Sequence, residues 1–232
     1  MSEILRIENL KKNYGSLEAL RGIDLTLESG KIVGLLGPNG SGKTTLIKLI
    51  CGLLTAKSGA ISICGHTPGK ESKAHVAYLP DNIYLAPWMK VRQIISYFKD
   101  FYADFSEQKA LEMLSRLGIN PDTKLKSLSK GNKEKVCLIL VMSRQAQLYV
   151  LDEPIAGVDP AARDYVISTI IQNYNPDATV LISTHLISDV EQVLDEVIFI
   201  REGNIVLHKS LDDIRAEHGK SVDELFREVF KW

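Results

Sequence analysis

Cysteine is scarce in this sequence: 232 residues carry three, Cys51, Cys64 and Cys137, far apart and with no CxxC spacing. That excludes a disulfide framework and a zinc ribbon, and leaves small apolar residues suited to a reducing compartment. Long apolar runs are missing too. The densest, at 136–142, falls far short of the roughly 20 residues that cross a bilayer. Charge of one sign is also absent, because 28 Lys and Arg face 29 Asp and Glu. Without a basic excess no nucleic-acid partner is expected, in spite of a lysine-rich patch at 124–135. There is no internal repeat and no low-complexity stretch. Met1, Ser2 and Glu3 lead straight into an alternating pattern, without a charged-then-apolar export segment. A cytoplasmic chain is expected, with any role at a membrane coming through a partner.

What is present suits a mixed globular chain. Apolar residues at 45% and charged residues at 25% are ordinary values, and the length allows one large core or two small ones. Residues 4–8 and 23–27 alternate apolar and polar, as half-buried antiparallel strands do. Residues 31–36 are more continuously apolar, as in a central strand covered on both faces. A helix follows from Gly42 to Cys51, with Leu46, Ile47, Leu49 and Ile50 as its buried side. Short strands are expected at 59–65 and 76–79.

From 87 to 145 the period turns helical. Val91, Ile94, Ile95 and Phe98 share one face, and Leu111, Leu114 and Leu117 another; Ser106 reads as an N-cap and Gly118 as a helix stop. Strand patterns resume at 148–151, 179–183 and 197–200, with an edge strand at 205–207. Asp159-Pro160 reads as a helix start, and Ser221 to Glu224 as a capping box before a stripe of Val222, Leu225, Phe226, Val229 and Phe230. The expectation is an α/β fold in one domain, 1–232. Its parts are a catalytic core at 1–85 and 146–215 that includes an antiparallel β region, an inserted helical subdomain at 86–145, and a C-terminal amphipathic helix at 216–232.

The chemistry is concentrated in three places. Gly37-Pro38-Asn39-Gly40-Ser41-Gly42-Lys43-Thr44 follows a strand and opens a helix, so its backbone N–H groups and the helix N-terminus suit a triphosphate. Lys43 would span the outer phosphates and the Thr44 hydroxyl would ligate magnesium (Mg2+). Asp152, ending an apolar strand, would hold a metal-bound water, and Glu153 would align or deprotonate the attacking water. His185 ends a second apolar strand, where it can touch the outer phosphate. Between loop and acidic pair, Leu128-Ser129-Lys130-Gly131-Asn132 opens a helix and suggests a second phosphate-facing surface, available to a partner subunit.

In this order the motifs resemble the nucleotide-binding subunit of an ABC (ATP-binding cassette) transporter, over nearly the whole chain. The resemblance implies a P-loop NTPase (RecA-like) core that hydrolyses ATP with Mg2+. Residues 37–45, including Thr45, resemble the Walker A loop, and 148–152 the Walker B strand. Glu153 resembles the catalytic glutamate, residues 156–159 the D-loop, His185 the switch histidine, and Tyr14 the aromatic that stacks on adenine. The family further implies a head-to-tail homodimer or heterodimer, in which Ser129 and Gly131 complete the partner's ATP site. It also implies an integral-membrane permease that holds the subunit at the inner face of the cell membrane.

Two positions depart from the family pattern. Lys130 and Asn132 stand where the signature segment has Gly and Gln, and Pro80-Asp81 where a metal-contacting glutamine is usual. Asp81 is thus a candidate metal ligand, and Lys130 is expected to point to solvent. Both departures resemble the bacterial exporter branch with separate permeases. Tyr84 and Trp88 are expected on the permease-facing surface, with Tyr97, Phe98, Phe101, Tyr102 and Phe105 mostly in the helical core. A soluble ABC ATPase of a non-transport complex, or a P-loop kinase of small molecules, would share the loop; the kinase would leave Ser129, Gly131 and His185 without a task.

Overall fold

The computed structural model describes residues 2–230, so Met1, Lys231 and Trp232 at the ends of the expected 1–232 span lie outside it. Strands β1 (Glu3–Tyr14) and β2 (Leu17–Glu28) form a long antiparallel hairpin, and β4 (Ser58–Ile63) joins it to give the order β2-β1-β4. Between them in sequence come β3 (Ile32–Leu36) and α1 (Lys43–Ile50). After β4 the chain runs through α2 (Lys70–His75) and β5 (Val76–Leu79), then into helices α3 (Val91–Phe101), α4 (Glu107–Arg116) and α5 (Lys130–Met142). It returns as β6 (Leu148–Asp152), α6 (Pro160–Asn173), β7 (Thr179–Thr184), α7 (Ile187–Val190), β8 (Glu196–Arg201) and β9 (Asn204–Ser210). Helices α8 (Leu211–His218) and α9 (Val222–Val229) close the described chain.

The second sheet has the order β5-β6-β7-β3-β8-β9, parallel except for β9. Its inner strands β3, β6 and β7 are buried throughout, which accounts for their continuous apolar character. Alternate residues serve two cores. Val33, Leu35, Val150, Leu181 and Ile198 meet α1 and the antiparallel sheet, while Tyr149, Leu151, Val180, Ile182 and Phe199 meet the helical side. The chain therefore crosses the sheet with one layer on each face.

A buried arginine joins the inserted helices to this sheet. Arg144, just past α5, donates to the carbonyls of Val76 at 2.5 Å and Ala74 at 2.8 Å and pairs with Asp104 at 3.0 Å. Its guanidinium lies 3.9 Å from the centre of the Tyr102 ring. All three cysteines are free, and burial pushes the Cys51 and Cys137 thiols up to about 12, which leaves them inert near neutral pH.

Several expectations are corrected. The buried face of α4 is Ala110, Met113 and Leu114, with Leu111 and Leu117 only flanking it. Tyr97 and Phe101 are not core residues: their tilted rings lie 4.4 Å apart, centre to centre, on the outer face of α3. The C-terminal stretch is two helices rather than one, because α8 starts at Leu211 behind its own N-cap, Ser210. The Val222 stripe packs on its own chain, where Phe226 and Phe230 meet Phe199 at 5.4 and 5.9 Å between ring centres.

Candidate active site

The phosphate-binding loop leaves β3 and enters α1 at the carboxyl edge of the parallel sheet, where open α/β sheets hold their ligands. Its shape is held from outside. Gly42, at φ 112, lies so close to β2 that a Cβ would stand 2.9 Å from the Ala19 carbonyl. Gly203, in the β8–β9 turn, donates to the Ser41 carbonyl at 2.9 Å and accepts from Arg21 N–H at 2.9 Å, which ties β2, loop and turn together. Nothing in the motif itself marks Gly203; its only local signal is the Glu202-Gly203-Asn204 turn.

Lys43 is buried and donates to the carbonyls of Gly37 at 2.7 Å and Pro38 at 3.3 Å. Burial pulls its pKa below the usual lysine value, opposed by the nearby charges of Glu153 and Asp152. The Ser41 hydroxyl is buried without a hydrogen-bond partner among the described residues. Thr44 Oγ1 lies 3.5 Å from Asp152 Oδ1. Asp152 is fully buried, receives a 2.5 Å hydrogen bond from Ser183 on Oδ1, and has no partner on Oδ2 among the described residues. Burial is also what raises its pKa, against the hydrogen bonds of Ser183 and Thr44. A buried carboxylate oxygen left open beside a threonine hydroxyl is a hard donor set that fits Mg2+. The loop's N–H groups, Lys43 and the unpartnered Ser41 hydroxyl fit a triphosphate in the same way.

Glu153 takes a left-handed backbone, φ 50, directly after Asp152. Its carboxylate lies 3.0 and 3.1 Å from His185 Nδ1 and 3.9 Å from Lys43 Nζ. A carboxylate only accepts, so Nδ1 carries the proton, and a neutral His185 presents Nε2 as an acceptor. Loop lysine, acidic pair and histidine, far apart in sequence, thus converge on one point.

No hydrogen bond or ion pair among the described residues joins the other candidates to this cluster. Tyr14 ends β1 opposite Leu17, is 47% exposed, and has Lys12 Nζ 5.5 Å from its ring centre. Ser129 caps α5, its hydroxyl accepting from Asn132 N–H at 3.3 Å, with Gly131 in the first turn. Both line a cleft of about 520 Å3 with Asp81, Glu153 and residues 156–159, and no residue of the 37–44 loop shares it. Lys130 is 76% exposed and pairs with Glu134 at 3.8 Å, as expected of a solvent-facing side chain. Asp81 is exposed on the loop after β5, with no hydrogen bond to Thr44 or Asp152 among the described residues, although its charge adds to the raised pKa of Asp152.

Residues 20–156 match the ABC transporter family. The chain is 30% identical over 224 residues to the linearmycin resistance ATP-binding protein LnrL of Bacillus subtilis, covering 93% of this chain and 72% of that one. It is also 30% identical to the lantibiotic transport ATP-binding protein SrtF of Streptococcus pyogenes, with 96% of each covered. Among solved structures, one described as an ATP-binding subunit of an ABC transporter superposes with a TM-score of 0.87 at 29% identity, over 98% of this chain and all of that one. The chain belongs to the ABC transporter family, as an ATP-binding and ATP-hydrolysing cassette.

Proposed function

We propose that two such subunits, in a homodimer or heterodimer, close head to tail around ATP and that hydrolysis reopens them, driving a separate membrane permease that exports its cargo. The observation that carries this reading is the convergence of Lys43, Thr44, Asp152, Glu153 and His185 at one edge of the sheet. The backbone of Gly37, Pro38, Asn39, Gly40, Ser41, Gly42 and Thr45 shapes the cradle, each residue but Pro38 with an N–H to offer; Lys43 holds the outer phosphates and Tyr14 stacks on adenine. Thr44 and Asp152 would hold Mg2+, with Asp81 adding negative charge at its edge. When bound, the metal neutralises charge on the transferred phosphoryl group. Glu153 aligns the attacking water and takes its proton, and His185 steadies the Glu153 carboxylate. Ser129 and Gly131 present a hydroxyl and a helix N-terminus to the partner subunit's ATP.

Export is favoured by the relatives named for linearmycin resistance and lantibiotic transport. A groove of about 1030 Å3, lined by exposed Tyr84, Trp88, Tyr97 and Phe101, is assigned to the permease, since contiguous exposed aromatics mark contact surfaces. No helix among the described residues is long and apolar enough to cross a membrane, in keeping with a cytoplasmic subunit held at the membrane's inner face by that partner. The test is Glu153→Gln with ATP and Mg2+ in sedimentation. It should accumulate as an ATP-bound dimer without turnover; hydrolysis at the parent rate, or nucleotide-loaded monomers only, would overturn the proposal.

A further inference from the structure

Ser183 sits on β7 directly across from Asp152 in the β6–β7 register and is fully buried. Its hydroxyl serves two neighbours at once. It donates to Asp152 Oδ1 at 2.5 Å and accepts the N–H of Glu153 at 3.1 Å. The same N–H also reaches the Ser183 carbonyl at 3.0 Å. A hydroxyl has one proton and two lone pairs, so both roles are compatible.

Each contact has a consequence. On Asp152 the hydroxyl occupies Oδ1 and leaves Oδ2 as the open oxygen. On Glu153 it grips a peptide whose φ of 50 is strained for a residue with a side chain. Such backbones persist only where the surroundings hold them. From this backbone the Glu153 carboxylate reaches His185 and approaches Lys43.

We propose that Ser183 is a positioning residue for ATP hydrolysis: its hydroxyl locks the Asp152-Glu153 pair, fixing which Asp152 oxygen stays open and where the Glu153 carboxylate points. The inference rests on the roles given to Asp152 and Glu153 above. Alanine here removes the nearer of two proton donors to Asp152 Oδ1, leaving Thr44 at 3.5 Å, and one of two acceptors of the Glu153 N–H, while threonine keeps the hydroxyl.

The experiment compares the parent, Ser183→Ala, Ser183→Thr and Glu153→Gln, each checked for a cooperative melt. Ser183→Ala should lose about 10- to 100-fold in kcat, the effect of one charge-assisted hydrogen bond, with KM for ATP nearly unchanged. Without turnover, binding of a fluorescent ATP analogue should need several-fold more Mg2+ in Ser183→Ala, yet be unaltered in EDTA. Ser183→Thr should recover most of the kcat. Parent-like kcat and Mg2+ requirement in Ser183→Ala, or equal impairment in Ser183→Thr, would refute the assignment. If instead Glu153→Gln turned over like the parent, the reading of the acidic pair would fall and take this inference with it.

Discussion

Replacing Asp152 by asparagine should make the nucleotide-free protein more stable while destroying its function. Asp152 is completely buried, with one oxygen held by Ser183 and Thr44 and the other without a partner. An unsatisfied buried polar group costs about 1–3 kcal/mol, and more when charged. Asparagine keeps the shape and the acceptor for Ser183; its amide NH2 still stands unpartnered where Oδ2 was, so only the charged part of the penalty is relieved. Part of the gain is lost because Asp152 helps to keep buried Lys43 protonated. A net gain of about 1–2 kcal/mol remains, or ~2–8 °C in Tm for a chain of this size.

The pH dependence has a definite sign. Burial raises the Asp152 pKa above the ordinary 3.8, so the folded state holds its proton more tightly than the unfolded state. The penalty is therefore complete above the raised folded value and fades as pH falls through it toward 3.8. The advantage of Asp152→Asn should be largest at neutral pH and shrink in mild acid. Calorimetry in EDTA measures both effects. With Mg2+ and ATP the order should reverse, since a ligand at a hundredfold excess over Kd adds about 2.7 kcal/mol to the parent. A lower Tm for Asp152→Asn without nucleotide, or an advantage that grew on acidification, would refute the buried-charge argument.

Lys43→Ala should weaken fluorescent-nucleotide binding by roughly 10- to 100-fold, the loss of a charge-assisted contact worth about 1.5–3 kcal/mol; undiminished binding would contradict the loop assignment. Arg144→Met should cost about 3–5 kcal/mol, because Asp104 and two carbonyls lose a buried donor at the seam between the inserted helices and the sheet. Chemical denaturation would measure it, and a loss below about 1 kcal/mol would mean that Arg144 does not bear on that seam.

Legibility followed the range of the forces involved. The strand, loop and helix from Ile32 to Ile50 were readable because apolar runs and glycines act on adjacent residues. The caps Ser106 and Ser221 were readable for the same reason: each hydroxyl accepts from an N–H three residues ahead. The outer aromatics of α3 were not. Tyr97 and Phe101 lie one helical turn apart, as Ile94 and Phe98 do, and the period alone does not say which stripe faces the core. Helix α8 has little sequence signal, because its eight residues carry only two buried ones, Leu211 and Ile214. Ser183 left no trace at all, since a serine inside an apolar strand has no pattern of its own.

From sequence alone came the phosphate-binding loop, the acidic strand end and their order along the chain, since each is a short-range arrangement of donors, carboxylates and apolar neighbours. Tertiary structure decided which strands adjoin: β7 between β6 and β3, so that Ser183 falls opposite Asp152 and His185 meets Glu153. Those strands are buried on both faces, and residues apolar throughout do not specify which neighbour lies on either side. Only packing the layers around the sheet sets that register, and with it the left-handed turn at Glu153.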